Sequence, residues 1–188
     1  MKNEIRRRHA SETDPGLYSI RISDLLCHFG ISAEYPHLCQ LPLQTEACEL
    51  KSIGNDVYGR PQEMLPEAAD AWLDMKKNAG DRKIKLQAVS AFRSVEYQAG
   101  ILQRKLDNGL NIKDILKVSA APGYSEHHSG KALDITTPGY AILEEEFEHS
   151  PAFEWLCENA CDFGFILSFP RDNRHGVAYE PWHWAWRS

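Results

Sequence analysis

The chain reads as an α+β protein: helices packed with a small antiparallel sheet that carries a site on one face. Three observations predict this. Helical repeats of apolar residues dominate from residue 60 to about 118. Short strand-like pieces cluster late, at Ala132–Thr136, Gly164–Phe169 and Trp182–Trp186. The 188 residues, 43% hydrophobic and 26% charged, suit about one globular unit and rule out a disordered chain, a collagen or a coiled coil.

Residues 1–60 form an irregular front section, an extension that packs on the core; within it the apolar piece Ile22–Phe29 is expected to be a helix. Pro66 suits a first helical turn. Leu65, Ala68, Ala69, Trp72 and Met75 then recur at helical spacing, with Gly80 as the expected C-cap. Lys85–Phe92 reads as a strand. Ser94 is placed to cap a second helix, with Val95, Ala99, Leu102 and Leu106 inward and an end near Gly109. Asn111–Val118 reads as a short third helix. Ser150 and Pro151 form an N-cap and first turn for a helix with Phe153, Leu156, Cys157 and Ala160 inward, ending at Gly164.

Composition excludes some functions. No apolar run reaches the roughly 18 residues of a membrane helix, so no membrane insertion is expected. A net charge of −6 argues against a broad grip on nucleic acid. The basic start, MKNEIRRRHASETDPG, is followed by no apolar stretch of the kind a secretory signal needs. Five irregularly spaced cysteines do not resemble a disulfide framework, so a cytoplasmic location is expected. Oligomeric state is not legible.

The chemistry concentrates in two segments. Ser125–Asp134 (SEHHSGKALD) sets His127 seven residues before Asp134, and EPWHW supplies Glu180 and His183. Imidazole and carboxylate are good zinc ligands, and a catalytic zinc keeps three protein ligands and one open position. His127, Asp134 and His183 would make that set. Glu180 is then left to take a proton from an activated water. On a strand, Asp134 faces away from Leu133 and Ile135, and His183 faces away from Trp182, Trp184 and Trp186, which are expected in the core. Glu180 has the opposite parity to His183, unless Pro181 bends the chain. Spacing alone equally allows two packed histidines and an unrelated aspartate.

SEHHSGKALD fits the pattern Ser-x-His-x-x-Gly-x-Ala-x-Asp, and EPWHW fits Glu-x-Trp-His. With SAFRSVEYQ (Ser90–Gln98), they resemble the VanY-type zinc carboxypeptidases, of the group that unites lysostaphin, D-alanyl-D-alanine metallopeptidases and Hedgehog domains. The resemblance spans about residues 60–188 and implies a zinc carboxypeptidase domain at 61–188 with a fold of that group. It implies Zn2+ on His127, Asp134 and His183, with Glu180 as general base. Arg93 would steady the scissile carbonyl oxygen or the substrate carboxylate, and Gln98 and Ser125 would contact substrate. Gly130 would give the tight turn between His127 and the strand of Asp134. Relatives often carry Arg where this chain has Ser168, and this sequence ends two residues after Trp186.

The implied activity is removal of the terminal D-alanine from peptidoglycan stem peptides or muropeptides. L,D cleavage of tetrapeptides is slightly favoured over D,D cleavage of pentapeptides, because a cytoplasmic enzyme would meet soluble precursors or recycled wall fragments. An L-alanyl-D-glutamate endopeptidase ranks lower, since its last motif usually reads Asp-x-x-His-Phe. A non-catalytic zinc-containing binding module would need neither Glu180 nor Arg93.

Other residues read as plain structure or surface. His128 should point away from His127, to the substrate side or the surface. His9, His28, His37, His149 and His175 lack ligand spacing. Cys157 and Cys161 read as small buried hydrophobes. Glu144–Glu146 and Glu148 form a solvated acidic face before a helix start. Tyr179 lines the pocket or packs.

Overall fold

The computed structural model describes residues 14–187. The basic start and His9 lie outside the described residues. Helix α1, Pro15–His28, begins seven residues before the expected Ile22, because Asp14 caps it by accepting from the Gly16 N–H at 2.8 Å. A short helix α2, Tyr35–Cys39, follows. Strands β1, Lys51–Asn55, and β2, Pro61–Met64, form an antiparallel hairpin that straddles residue 60.

Helix α3 spans Pro66–Asp81 and buries Ala68, Ala69, Trp72, Met75 and Ala79. Gly80 lies inside it rather than capping it. The left-handed residue after its end is Lys83, at φ 63°. Strand β3 is Gln87–Ser90, shorter than the expected 85–92. Helix α4, Val95–Asp107, starts where Ser94 Oγ accepts from the Tyr97 N–H at 3.1 Å. Asn111 likewise caps α5, Ile112–Val118.

A 3-10 turn at Glu126–Ser129 leads into β4, Ala132–Thr136. Ser150 caps α6, Pro151–Asn159, by accepting from the Phe153 N–H at 3.0 Å. The buried stripe of α6 is Ala152, Trp155 and Leu156, so Cys157, one position past Leu156, is exposed instead of inward. A 3-10 turn, Ala160–Phe163, then ends at Gly164, before β5, Phe165–Leu167, and finally β6, His183–Trp186.

The four later strands make an antiparallel sheet in the order β3-β4-β6-β5. One core cluster joins α3 and α6 to Leu133, Ile135, Phe165 and Trp184. A second joins α1, α4 and α5 to Phe169 and Tyr124. Trp184 is buried, whereas Trp182 and Trp186 are only half-buried against the first cluster. The site opens between α4 and the sheet face turned away from the first cluster. The front section is tied in here: Ala47 N–H donates to His128 O and Gln44 N–H to Gly123 O, both at 2.8 Å. Among the described residues no helix is long and apolar enough to cross a membrane.

Candidate metal centre

Asp134 and His183 are direct cross-strand partners on β4 and β6, so their side chains leave the same face side by side. Asp134 Oδ1 lies 3.0 Å from His183 Nδ1 and 3.3 Å from His127 Nε2. His127 comes from the 3-10 turn ahead of β4. That turn closes on Gly130, at φ 68°, where an added Cβ would stand 2.9 Å from Leu65 N. One ligand atom from each of His127, Asp134 and His183 lies within 4.8 Å of the others.

The chemistry of these donors fits zinc. His127 Nδ1 is held by Ala91 O at 2.6 Å, so its N–H points there and Nε2 is free to donate electrons. That buried Nε2 makes no hydrogen bond among the described residues. Donors about 2.0–2.2 Å from a tetrahedral zinc sit roughly 3.3–3.6 Å apart, and the two Asp134 distances, 3.0 and 3.3 Å, come close to this.

Charge is arranged around the cluster, with one ring neutral and the other holding a proton that a metal ion would displace. Burial pushes His127 down to about 4, keeping it neutral. Burial alone would raise Asp134, but the imidazoles of His127 and His183 and the Arg93 guanidinium hold its carboxyl well below the usual range. Burial would depress His183, yet hydrogen bonds to Asp134 and Glu126 outweigh it and raise it to about 10.

Glu126 had no role in the sequence reading. Its Oε2 lies 2.9 Å from His183 Nε2, and its Oε1 accepts from Arg187. Burial would raise Glu126, but the His183 hydrogen bond, with the charges of His183 and Arg187, holds it far below the ordinary carboxylate range. Its legible signal was a carboxylate beside a candidate ligand, since ligating imidazoles usually rest on an outer carboxylate. Arg187 also lies 3.4 Å from Ser168 Oγ.

Glu180 precedes β6 rather than lying on it. Its carbonyl accepts from the His183 N–H at 3.1 Å in the Pro181–Trp182 turn, which removes the parity conflict. Glu180 Oε2 comes within 3.9 Å of His183 Nδ1. Burial pushes its carboxyl up to about 7, with the charges of Asp134 and Glu126 adding to this and those of His183 and Arg93 opposing it.

Arg93 donates to Asp134 Oδ2 at 3.1 Å and to Gln98 Oε1 at 3.2 Å, while Gln98 Nε2 donates to Ala120 O at 2.8 Å. The Arg93 backbone is clamped as well: its N–H donates to His127 O, and its carbonyl accepts from His128 Nδ1 at 2.6 Å. His128 Nε2 in turn accepts from the Gly123 N–H at 3.1 Å. The residue expected at the surface or facing substrate is thus wholly buried. In a 3-10 turn consecutive residues point about 120° apart, and here the opposite side is protein, not solvent. Ser125 is buried and lines the cleft.

These residues line a cleft of about 420 Å3, bounded also by Lys105, Phe169 and Trp182. Tyr179 turns instead to Glu148, to which its hydroxyl donates at 3.0 Å.

Residues 61–188 match the VanY family profile, described as D-alanyl-D-alanine carboxypeptidase. The Bacillus subtilis protein YodJ is 36% identical over 124 residues, 62% of this chain. That match spans only 44% of YodJ's own length. Among solved structures, the LdcB LD-carboxypeptidase superposes with TM-score 0.69 at 28% identity, covering 77% of this chain and 71% of that one. A mutant of the vancomycin-resistance D,D-pentapeptidase VanY, in complex with Zn(II), gives TM-score 0.60 at 27% identity over 78% of this chain and 82% of that one.

Proposed function

The chain belongs to the VanY family of D-alanyl-D-alanine carboxypeptidases, and on that premise we propose that it is a zinc-dependent carboxypeptidase releasing the C-terminal D-alanine of peptidoglycan stem peptides. The observation that carries this is the convergence of His127, Asp134 and His183, with Glu180 Oε2 3.9 Å from His183. A zinc ion on the three would supply Lewis acidity and an acidified water. Glu180 takes the proton from the attacking water and hands it to the leaving amine; its raised pKa suits both transfers. Arg93, already oriented by Asp134 and Gln98, faces the negative charge that grows on the carbonyl oxygen. Gln98 and Ser125 are placed on the cleft wall to meet the peptide.

The L,D reaction on tetrapeptides is our preferred form. Its support is the likeness to the LdcB LD-carboxypeptidase, at TM-score 0.69; the L,D-carboxypeptidase DacB, at 0.56, falls below the two VanY structures, at 0.60 and 0.62, so the muropeptide assay decides between the bonds. Mass spectrometry of purified muropeptides after incubation with the zinc-loaded protein tests both levels. Loss of one alanine from tetrapeptides is expected. Loss from pentapeptides alone overturns the L,D preference, and loss from neither overturns the carboxypeptidase.

A further inference from the structure

One charged group on the cleft wall has no part in the chemistry above. Lys105 lies on α4 and lines the cleft together with Gln98 and Ile101 of the same helix. Positions 98, 101 and 105 share one helix face. Its ammonium donates to Ser119 Oγ at 2.7 Å. It forms no salt bridge among the described residues, although an ammonium carries three donors. Arg93, the other cation of the cleft, is already committed to Asp134 and Gln98. Lys105 is half-buried, and burial lowers its pKa, with Arg93 pushing the same way and Glu180 opposing. A half-shielded cation facing a cleft, with no carboxylate paired to it among the described residues, fits an anion brought by the ligand.

Position points to which anion. Lys105 is seven residues beyond Gln98, about 10 Å along the helix axis. Its ammonium sits at Ser119 Oγ, next to Ala120, whose carbonyl accepts from Gln98 Nε2, which places it on the Gln98 side of the cleft. The carboxylate nearest the scissile bond of a carboxypeptidase substrate is the C-terminal one, a single residue away.

We propose that Lys105 is the residue that receives the C-terminal carboxylate of the peptide and so makes the cleft select chain ends. The inference rests on the carboxypeptidase reading. With Arg93 serving the carbonyl oxygen, Lys105 serves the leaving residue. An amide or a continuing chain at that place leaves the ammonium unpaired, which disfavours internal cleavage.

The test is steady-state kinetics of the zinc-loaded full chain on a D-alanine-terminated stem tetrapeptide, as the free acid and as the C-terminal amide. Lys105→Met keeps the length of the side chain without its charge. It is expected to raise KM for the free acid by on the order of 10- to 100-fold, with kcat moving far less. KM for the amide should stay put, and Lys105→Arg should recover most of the loss. An unchanged KM for the acid overturns the proposal, as does an equal rise for acid and amide, which would mean lost packing. A penalty that appears only when the third residue of the stem carries a second carboxylate also overturns it. If the unsubstituted chain releases no alanine from any peptide, the carboxypeptidase reading itself fails. Turnover with Lys105→Met indistinguishable from the parent removes only the anchor.

Discussion

Glu126 holds His183 by the ring nitrogen opposite the one that faces Asp134, at 2.9 Å. It thereby leaves Nδ1 directed at the cluster. Glu126→Ala should weaken zinc binding about 10- to 100-fold. Competition with a coloured chelator reads this directly, without reference to turnover. Zinc affinity equal to that of the parent chain would remove Glu126 from the site.

Glu180 should set the acid limb of activity. A base must be deprotonated to accept a proton, and a carboxyl raised to about 7 from 4.5 is protonated earlier as pH falls. kcat/KM is therefore expected to drop about tenfold per unit on the acid side, with a midpoint between those values because a bound cation pulls it down. Glu180→Gln should lose at least about 100-fold in kcat while retaining zinc. A profile that stays flat down to pH 4.5, or a fully active glutamine variant, contradicts the assignment.

The neighbours His127 and His128 should fail in different ways. His127→Ala removes a ligand atom, and elemental analysis should find the protein largely free of zinc. His128→Ala leaves Arg93 O and Gly123 N–H unpaired in the interior. It should cost about 2–4 kcal/mol in denaturant unfolding with zinc still bound. The same metal content in both variants would merge two roles that the geometry separates.

Arg93→Ala should lower kcat by about 100-fold or more, the usual cost of one lost donor at a developing oxyanion. Arg93→Lys should restore only part, since an ammonium does not reproduce the fork that spans Asp134 and Gln98. Full recovery by lysine would show that charge alone matters there.

Gly130→Ala should destabilise by about 1–3 kcal/mol. Its φ is 68°, and the new methyl would meet Leu65 N at 2.9 Å. Thermal melting of the zinc-free protein isolates this cost from metal binding. An unshifted midpoint would mean that the turn before β4 relaxes freely.

Much of this centre was legible because it is local. His127, Gly130 and Asp134 sit within one ten-residue stretch, and the alternation on β4 already aimed Asp134 away from Leu133 and Ile135. His183 followed from the same parity argument on β6. What escaped depends on distant chain. Glu126 acquires its role only when Arg187 and β6 fold against it, about sixty residues later. Lys105 reads as an ordinary helix cation until the sheet faces it. His128 was misplaced because a turn's far side is solvent only if nothing covers it, and here Ala47 and the Arg93 loop do. The extra turns of α1 hinge on one aspartate cap at Asp14, just before the Pro15 that starts the helix.

The β1–β2 hairpin has a consequence for how the chain could be divided. Its partner strands lie on either side of residue 60, and Ile53 of β1 shares a core cluster with Met64 and Trp72. Tyr58, Gly59 and Arg60 at its tip are exposed, beside a buried Asp56. A protease nick at the tip should therefore yield two peptides that co-migrate under native conditions and part only in denaturant. Expressing 61–188 alone would strip a strand and the backbone ties at Gln44 and Ala47, so the complementing front piece would have to be supplied in trans.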